Sequence, residues 1–211
     1  MALPTEDLIP LDQFTPRIWS DSGQIPECVH YACGLNLIDG WLNVDYFDDA
    51  LIWNFGAMGG VPRKLAEEVY KLDLLQPHPF PDDWFAYGYC EDFIEHLSQK
   101  DAILFLSEAL RTLRPGGVLR IATPGLPGVM NHHFRNARYD AVVANHDSAY
   151  TRWGHVHFFS HDSLRTVAFG LGFTGYTECR YAQSGHAELR DRETRAEQAA
   201  CEINIYAELV K

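Results

Sequence analysis

The feature that most constrains this chain is the alternation of short apolar runs with segments of helical period. Cys28 to Ala32 and Trp41 to Tyr46 read as two buried strands, and Val69 to Leu72 as a third that stops at Asp73. Trp84 to Cys90 is the fourth, Val118 to Ala122 the fifth, Phe173 to Tyr181 the sixth and Ile203 to Leu209 the seventh. Helical segments lie among them. Pro62 to Val69 is a short one with proline in its first turn. Ser98 caps a second, with Ile103, Leu106, Leu110 and Leu113 on one face, and Arg114-Pro115-Gly116-Gly117 stops it. A third starts at Ser160 or His161, runs through Ala168 and ends at Gly170 and Gly172. Strands that alternate with helices imply an α/β fold around a parallel sheet. The link between the first two strands is too short for a full crossover helix, which is unusual for this architecture.

The remaining segments are less regular. Residues 5–14 are expected to form a short helix ended by Pro16, within an N-terminal extension of residues 1–27. Residues 28–211 then form one domain. The stretch 125–158 has no strong period and is rich in His, Asn, Arg and aromatic residues, which suits an insertion covering a site. The polar segment 183–200 is expected to be exposed or partly disordered.

Composition narrows the class. A chain of 211 residues with 46% apolar and 22% charged residues can bury its own core. A formal net charge of −12 weighs against a nucleic-acid partner, because binding to phosphate backbones rests on clustered Lys and Arg. The five cysteines are odd in number and contain no Cys-x-x-Cys pair, so reduced thiols in a cytoplasmic protein are the expectation. The N-terminus does not read as a signal peptide, and no apolar run reaches membrane-spanning length. A small-molecule substrate fits this profile; nothing in the sequence sets an oligomeric state.

Open α/β sheets bind ligands beyond the carboxyl ends of their strands. Gly34 follows the first strand, where a small residue lets a ligand approach the backbone. Asp45 ends the second, placed to accept hydrogen bonds from a ribose diol, and Asp73 ends the third, placed to accept from an exocyclic amine. Tyr89-Cys90-Glu91-Asp92 and then Glu95-His96 follow the fourth. A nicotinamide cofactor is disfavoured, since only Gly34 remains of a Gly-x-Gly-x-x-Gly turn and no helix opens after it. His132, His133, His146, His155, His157 and His161 crowd one region. Loose clustering does not define a metal site, which needs three or four ligands at set geometry, and no metal is assigned.

Five motifs in order resemble the small class I methyltransferases that use S-adenosylmethionine (SAM). They are V-H-Y-A-C-G-L-N-L-I-D-G-W-L-N-V-D, Y-K-L-D-L-L-Q-P-H-P-F-P-D-D-W-F, E-D-F-I-E-H-L, A-L-R-T-L-R-P-G-G-V-L-R-I-A-T-P and H-F-F-S-H-D-S-L-R-T-V-A-F-G-L-G-F. The likeness spans about residues 28–175, and E-I-N-I-Y-A-E-L-V-K fits the family's last strand. It implies a Rossmann-like, seven-stranded, mostly parallel sheet with an antiparallel last strand and helices on both faces. It also implies SAM as cofactor, with the backbone at Ala32, Cys33 and Gly34 against its methionine part. Asp45 would hold the ribose, Tyr46 would stack beside the adenine, and Asp73 with Leu74 would hold the adenine edge. The backbone at Tyr89 and Cys90 would lie near the sulfonium. Ala32 stands where the family has its first loop glycine. Methyl transfer to an O or N nucleophile of a small molecule or sugar-like metabolite is the expected reaction. His96, His155 and His157 are the first choices for a catalytic base, with Glu91, Asp92, His132 and His133 behind them. The competing expectation is a non-catalytic binding or scaffold protein on the same fold.

Overall fold

A computed structural model describes residues 7–19, 25–47 and 49–211. In chain order the first elements are β1 (Leu8–Ile9), β2 (Arg17–Ile18), β3 (Cys28–Tyr31), β4 (Leu42–Asp45), α1 (Asp49–Met58) and β5 (Val61–Pro62). Then come α2 (Arg63–Glu68), β6 (Val69–Lys71), β7 (Phe85–Glu91), α3 (Gln99–Thr112) and β8 (Leu113–Pro124). The chain continues through α4 (Leu126–Val129), α5 (Tyr139–Ala149), α6 (His161–Leu171), β9 (Gly175–Glu178), α7 (Ala196–Ala200) and β10 (Asn204–Val210).

The main sheet has eight strands in the order β2-β6-β4-β3-β7-β8-β10-β9. From β2 to β8 all neighbours are parallel; β10 is antiparallel to both β8 and β9. The seven expected strands are therefore all present, and the two-residue β2 adds an eighth at the edge beside β6. The chain leaves β3 toward β4 and β6, then returns to β7 on the other side. That reversal opens a crevice at the carboxyl ends of β3 and β7, where ligands bind in such sheets.

The central strands are apolar on one face, and on the other the intervening positions His30, Asn43 and Arg120 are buried polar residues. Val29, Tyr31, Leu42, Val44, Leu119 and Ile121 are all buried. Helix α3 starts at Ser98, whose Oγ accepts from the Asp101 amide at 3.2 Å. It buries Ala102, Phe105, Leu106 and Ala109, while Ile103 and Leu110 are only half-buried. The contact face thus lies about one residue earlier than the large apolar residues suggest, because Ala102 and Ala109 let the helix approach the sheet closely. Helix α6 opens with a reciprocal Ser160–Ser163 cap and closes at Gly172, whose φ of +113° suits glycine.

Parallel strands β3 and β4 are joined without a helix. The buried Asn43 holds the link instead. Its Oδ1 accepts from the Ile38 amide at 3.0 Å, and its Nδ2 donates to the carbonyls of Ile38 and Trp41 at 3.1 and 3.2 Å. A single side chain thereby supplies the backbone partners that a crossover helix would have supplied internally.

One expectation needs correction, and two segments gain structure that their sequence did not specify. The helix over residues 5–14 is not formed among its described residues. Leu8–Ile9 pairs with Val61–Pro62, and Leu11–Gln13 makes one 3₁₀ turn after Pro10; residues 5 and 6 lie outside the described residues. Segment 125–158 is largely helical, through α4, a π-helical turn at Met130–Phe134, and α5. Segment 183–200 is exposed over much of its length yet ordered, with a 3₁₀ turn at Ala187–Leu189 and helix α7. Its fixed points are Leu189, with no exposed surface, and the buried Glu193. Helix α1 was not foreseen: its near-continuous apolar sequence hides the helical period.

Buried His30 on β3 gives a pH-dependent stability. Burial holds its imidazole down to a pKa of about 4, against an ordinary value of 6.5. Below pH 6.5 the unfolded chain takes up a proton that the folded chain refuses, so stability falls as the pH drops toward 4. The loss from this residue is about 3 kcal/mol at most. Urea unfolding of wild type and His30→Leu at pH 7.5, 6 and 5 measures it: the gap between them should shift in favour of the variant as the pH falls. A gap that is constant with pH would refute it.

Candidate active site

The carboxyl ends of β3, β4, β6 and β7 converge on one cavity of about 680 Å³. Ala32 and Gly34 come from the end of β3, Asp45 and Tyr46 from β4, Asp73 and Leu74 from the loop after β6, and Asp92 and Phe93 from β7. Leu51 and Asn54 of α1 close it from outside. Ala32 and Gly34 both adopt left-handed φ, at +51° and +52°. The alanine bears a strain that glycine would not, of roughly 1 kcal/mol. A Cβ on Gly34 would meet nothing within 4 Å, so conformation, not crowding, calls for glycine there.

Asp45 shapes this loop. One carboxylate oxygen accepts from the Gly34 amide at 2.8 Å and the other from the Phe47 amide at 3.2 Å. These contacts fix a half-buried carboxylate at the cavity wall, and a carboxylate has acceptor capacity beyond two bonds. Asp73 caps its own turn, accepting from the Leu75 amide at 3.0 Å. Tyr46 is half-exposed, with the Lys71 ammonium 5.4 Å from its ring centre.

A second cavity of about 560 Å³ adjoins the first and shares Asp92 and His96 with it. The insertion supplies much of its wall, including His132, His133, Trp153 and His155, and the C-terminal segment supplies Arg195 and Gln198. Asp92 stands at φ +50°, which aspartate tolerates better than most residues. Its Oδ2 accepts from Arg195 Nε at 2.7 Å, while its Oδ1 is buried without a partner. Glu95 is 1% exposed; its Oε2 accepts from Thr123 Oγ1 at 2.8 Å and its Oε1 has no partner. Burial, and then the Asp92 carboxylate, push the Glu95 carboxyl up to about 8. His155 donates from Nδ1 to the Ala149 carbonyl at 2.8 Å, and burial lowers its pKa. His96 Nδ1 lies 3.3 Å from the Gly154 carbonyl, and the two imidazole centres are 5.0 Å apart.

The structure brings some of the expected site residues together and not others. Ala32, Gly34, Asp45, Tyr46, Asp73, Leu74 and His96 line the first cavity. Cys33, Tyr89 and Cys90, expected to act through their backbone, direct their side chains elsewhere: Cys33 packs with Phe47 and Phe55, Cys90 is core, and Tyr89 faces a separate groove with His30. Among the base candidates, Asp92, His96, His132, His133 and His155 meet at the second cavity. Glu91 is turned away to accept from the Thr194 amide and hydroxyl, and His157 lines neither cavity, packing edge-on to Phe159 at 4.6 Å. Glu95 was named without a role, and Arg195 and Asn54, which also line the cavities, were not singled out. A glutamate directly after Ile94, in the turn that follows a buried strand, was the signal available for the first of these; the other two give none.

No protein-family model matches the chain, and no curated protein matches it either. Solved structures do. One is a SAM-dependent methyltransferase from Thermotoga maritima, 15% identical, with a TM-score of 0.52 over 87% of this chain and 81% of that one. A SAM-dependent methyltransferase from Archaeoglobus fulgidus is 15% identical, with a TM-score of 0.51 over 87% and 85% of the two chains. One from Mesorhizobium loti is also 15% identical, at 0.51 over 87% and 90%. Strand order, the crevice at the switch point and these neighbours together show that the chain has the fold of class I SAM-dependent methyltransferases.

Proposed function

We propose that the chain is a SAM-dependent methyltransferase acting on an O or N nucleophile of a small molecule or sugar-like metabolite. The observation that carries this is the pair of adjoining cavities that meet at Asp92 and His96, the first of them walled by the strand-end carboxylates Asp45 and Asp73. The residues of the first cavity fit SAM. Asp45 holds the ribose hydroxyls, Asp73 and Leu74 meet the adenine edge, and Tyr46 offers a ring face beside it. The left-handed backbone at Ala32 and Gly34 leaves room for the methionine part.

SAM supplies a sulfonium methyl group already activated for displacement. The chain's contribution is then alignment, which supplies roughly 7–11 kcal/mol at best. Asp92, at the junction, places negative charge where a cationic centre gains from it. His96 and His155 stand ready to take a proton from the acceptor. Segment 125–158 walls the acceptor cavity and shields the reaction from water. Among the described residues no helix is long and apolar enough to cross a membrane.

Isothermal titration of the purified protein with SAM and with S-adenosylhomocysteine tests the proposal. Micromolar binding of both is expected. A folded protein that binds neither would overturn it and favour a non-catalytic role for the fold.

A further inference from the structure

Three potential ligand atoms of Glu95, His96 and His155 lie within 4.8 Å of one another. Ligands around a zinc-sized ion sit roughly 3.4 Å apart in a tetrahedron, so modest side-chain rotation closes the set. Glu95 belongs to the turn after β7, whereas His155 lies far along the chain in the insertion. The backbone joins the two places: the Glu95 carbonyl accepts from the amides of Val156 and His157 at 2.7 and 3.1 Å. The cluster is thus built by the fold, not gathered by chance on a surface.

We propose that Glu95, His96 and His155 form a site for one divalent transition-metal ion in the second cavity. Two further observations support it. Glu95 is fully buried with Oε1 unpartnered, an arrangement that costs free energy unless something pairs with it. A backbone carbonyl can only accept, so the contacts of His155 with Ala149 and His96 with Gly154 place the proton on Nδ1 in both rings. Outer-shell carbonyls set metal-ligating imidazoles in the same tautomer, with Nε2 toward the ion. Two imidazoles and one carboxylate suit zinc, iron, manganese or cobalt in the divalent state, and three protein ligands leave a position open to the cavity.

The role of such an ion in transfer rests on the methyltransferase reading; its binding does not. With the ion bound, His96 and His155 would be its ligands and no longer proton acceptors; an acceptor hydroxyl at the open position, beside the first cavity, would instead lose its proton more readily, to water or to His133 on the same wall.

The test uses tag-free protein, stripped with a chelator and titrated with Co2+ while visible absorption is recorded, with Zn2+ as competitor. One equivalent of Co2+ should give a ligand-field band that Zn2+ displaces. His155→Ala and Glu95→Gln should each weaken binding at least about tenfold, while His157→Ala, outside both cavities, should not. Far-ultraviolet circular dichroism checks that each variant is folded. No stoichiometric band in wild type, or unchanged affinity in both folded variants, overturns the proposal. SAM is titrated into the same samples: Co2+ binding without SAM binding keeps the metal site and removes its catalytic role, and SAM binding without Co2+ binding rejects the metal site alone.

Discussion

Arg120→Met is expected to destabilise the protein by about 3–5 kcal/mol, the loss seen when one partner of a buried ion pair is removed. Arg120 sits in the middle of β8 with no exposed surface. Its Nε donates to Glu193 Oε1 at 2.5 Å, its Nη1 to Glu208 Oε1 at 2.8 Å and its Nη2 to the Arg180 carbonyl at 3.0 Å. Glu208 is its direct cross-strand neighbour on β10, and Glu193 arrives from the C-terminal segment, where its other oxygen accepts from the Ala182 amide at 3.0 Å. Methionine fills much of the volume but leaves two buried carboxylates without a cation. Urea unfolding should show the midpoint lowered by about 1–2 M. Replacing all three charges with leucine should recover most of the loss, because the desolvation cost goes with the charges. A single-variant loss below about 1 kcal/mol would show that water reaches the cluster.

That cluster also marks where the sequence stops being legible. Arg120 interrupts an apolar strand, which tells a reader that a buried partner exists. It does not tell which of many acids supplies it. Glu193 looks like one charge among many in a polar stretch, and local pattern assigned that stretch to solvent; a contact 73 residues away in sequence decides otherwise. The strands were readable because each is a short run rich in aliphatic, β-branched and aromatic residues between turn signals, whatever its neighbours are. Asp45 and Asp73 were readable because the fold puts strand ends together, so position along a strand is already position in space. His155 was visible as a histidine, yet its company was not. Its approach to Glu95 and His96 depends on how α5 and the following turn bring the chain back, and no periodicity records that. Cys33, Tyr89 and Cys90 were chosen for their backbone alone, and the alternation of side chains along a strand turns the side chains into packing or toward the far groove.

Asp45 carries the largest expected effect on ligand binding. Asp45→Ala removes the carboxylate that would accept from both ribose hydroxyls, and charged hydrogen bonds contribute roughly 1.5–3 kcal/mol each. Allowing for partial replacement by water, affinity for SAM should fall by about 30- to 1,000-fold, or 2–4 kcal/mol. S-adenosylhomocysteine carries the same ribose, so its affinity should fall by a similar factor. This distinguishes a ribose contact from attraction to the sulfonium charge, which would weaken SAM alone. The variant also frees the Gly34 and Phe47 amides, but the site is only half-buried and water can reach them. Its unfolding free energy should therefore drop by no more than about 2 kcal/mol. Asp45→Asn should fall between the two, since it keeps one acceptor oxygen and loses the charge. Titration calorimetry on the three proteins, with thermal melts run with and without ligand, separates loss of binding from loss of fold. Equal affinities across all three would mean that Asp45 serves only to tie the loop to Gly34, and the ribose would have to be placed elsewhere in the cavity.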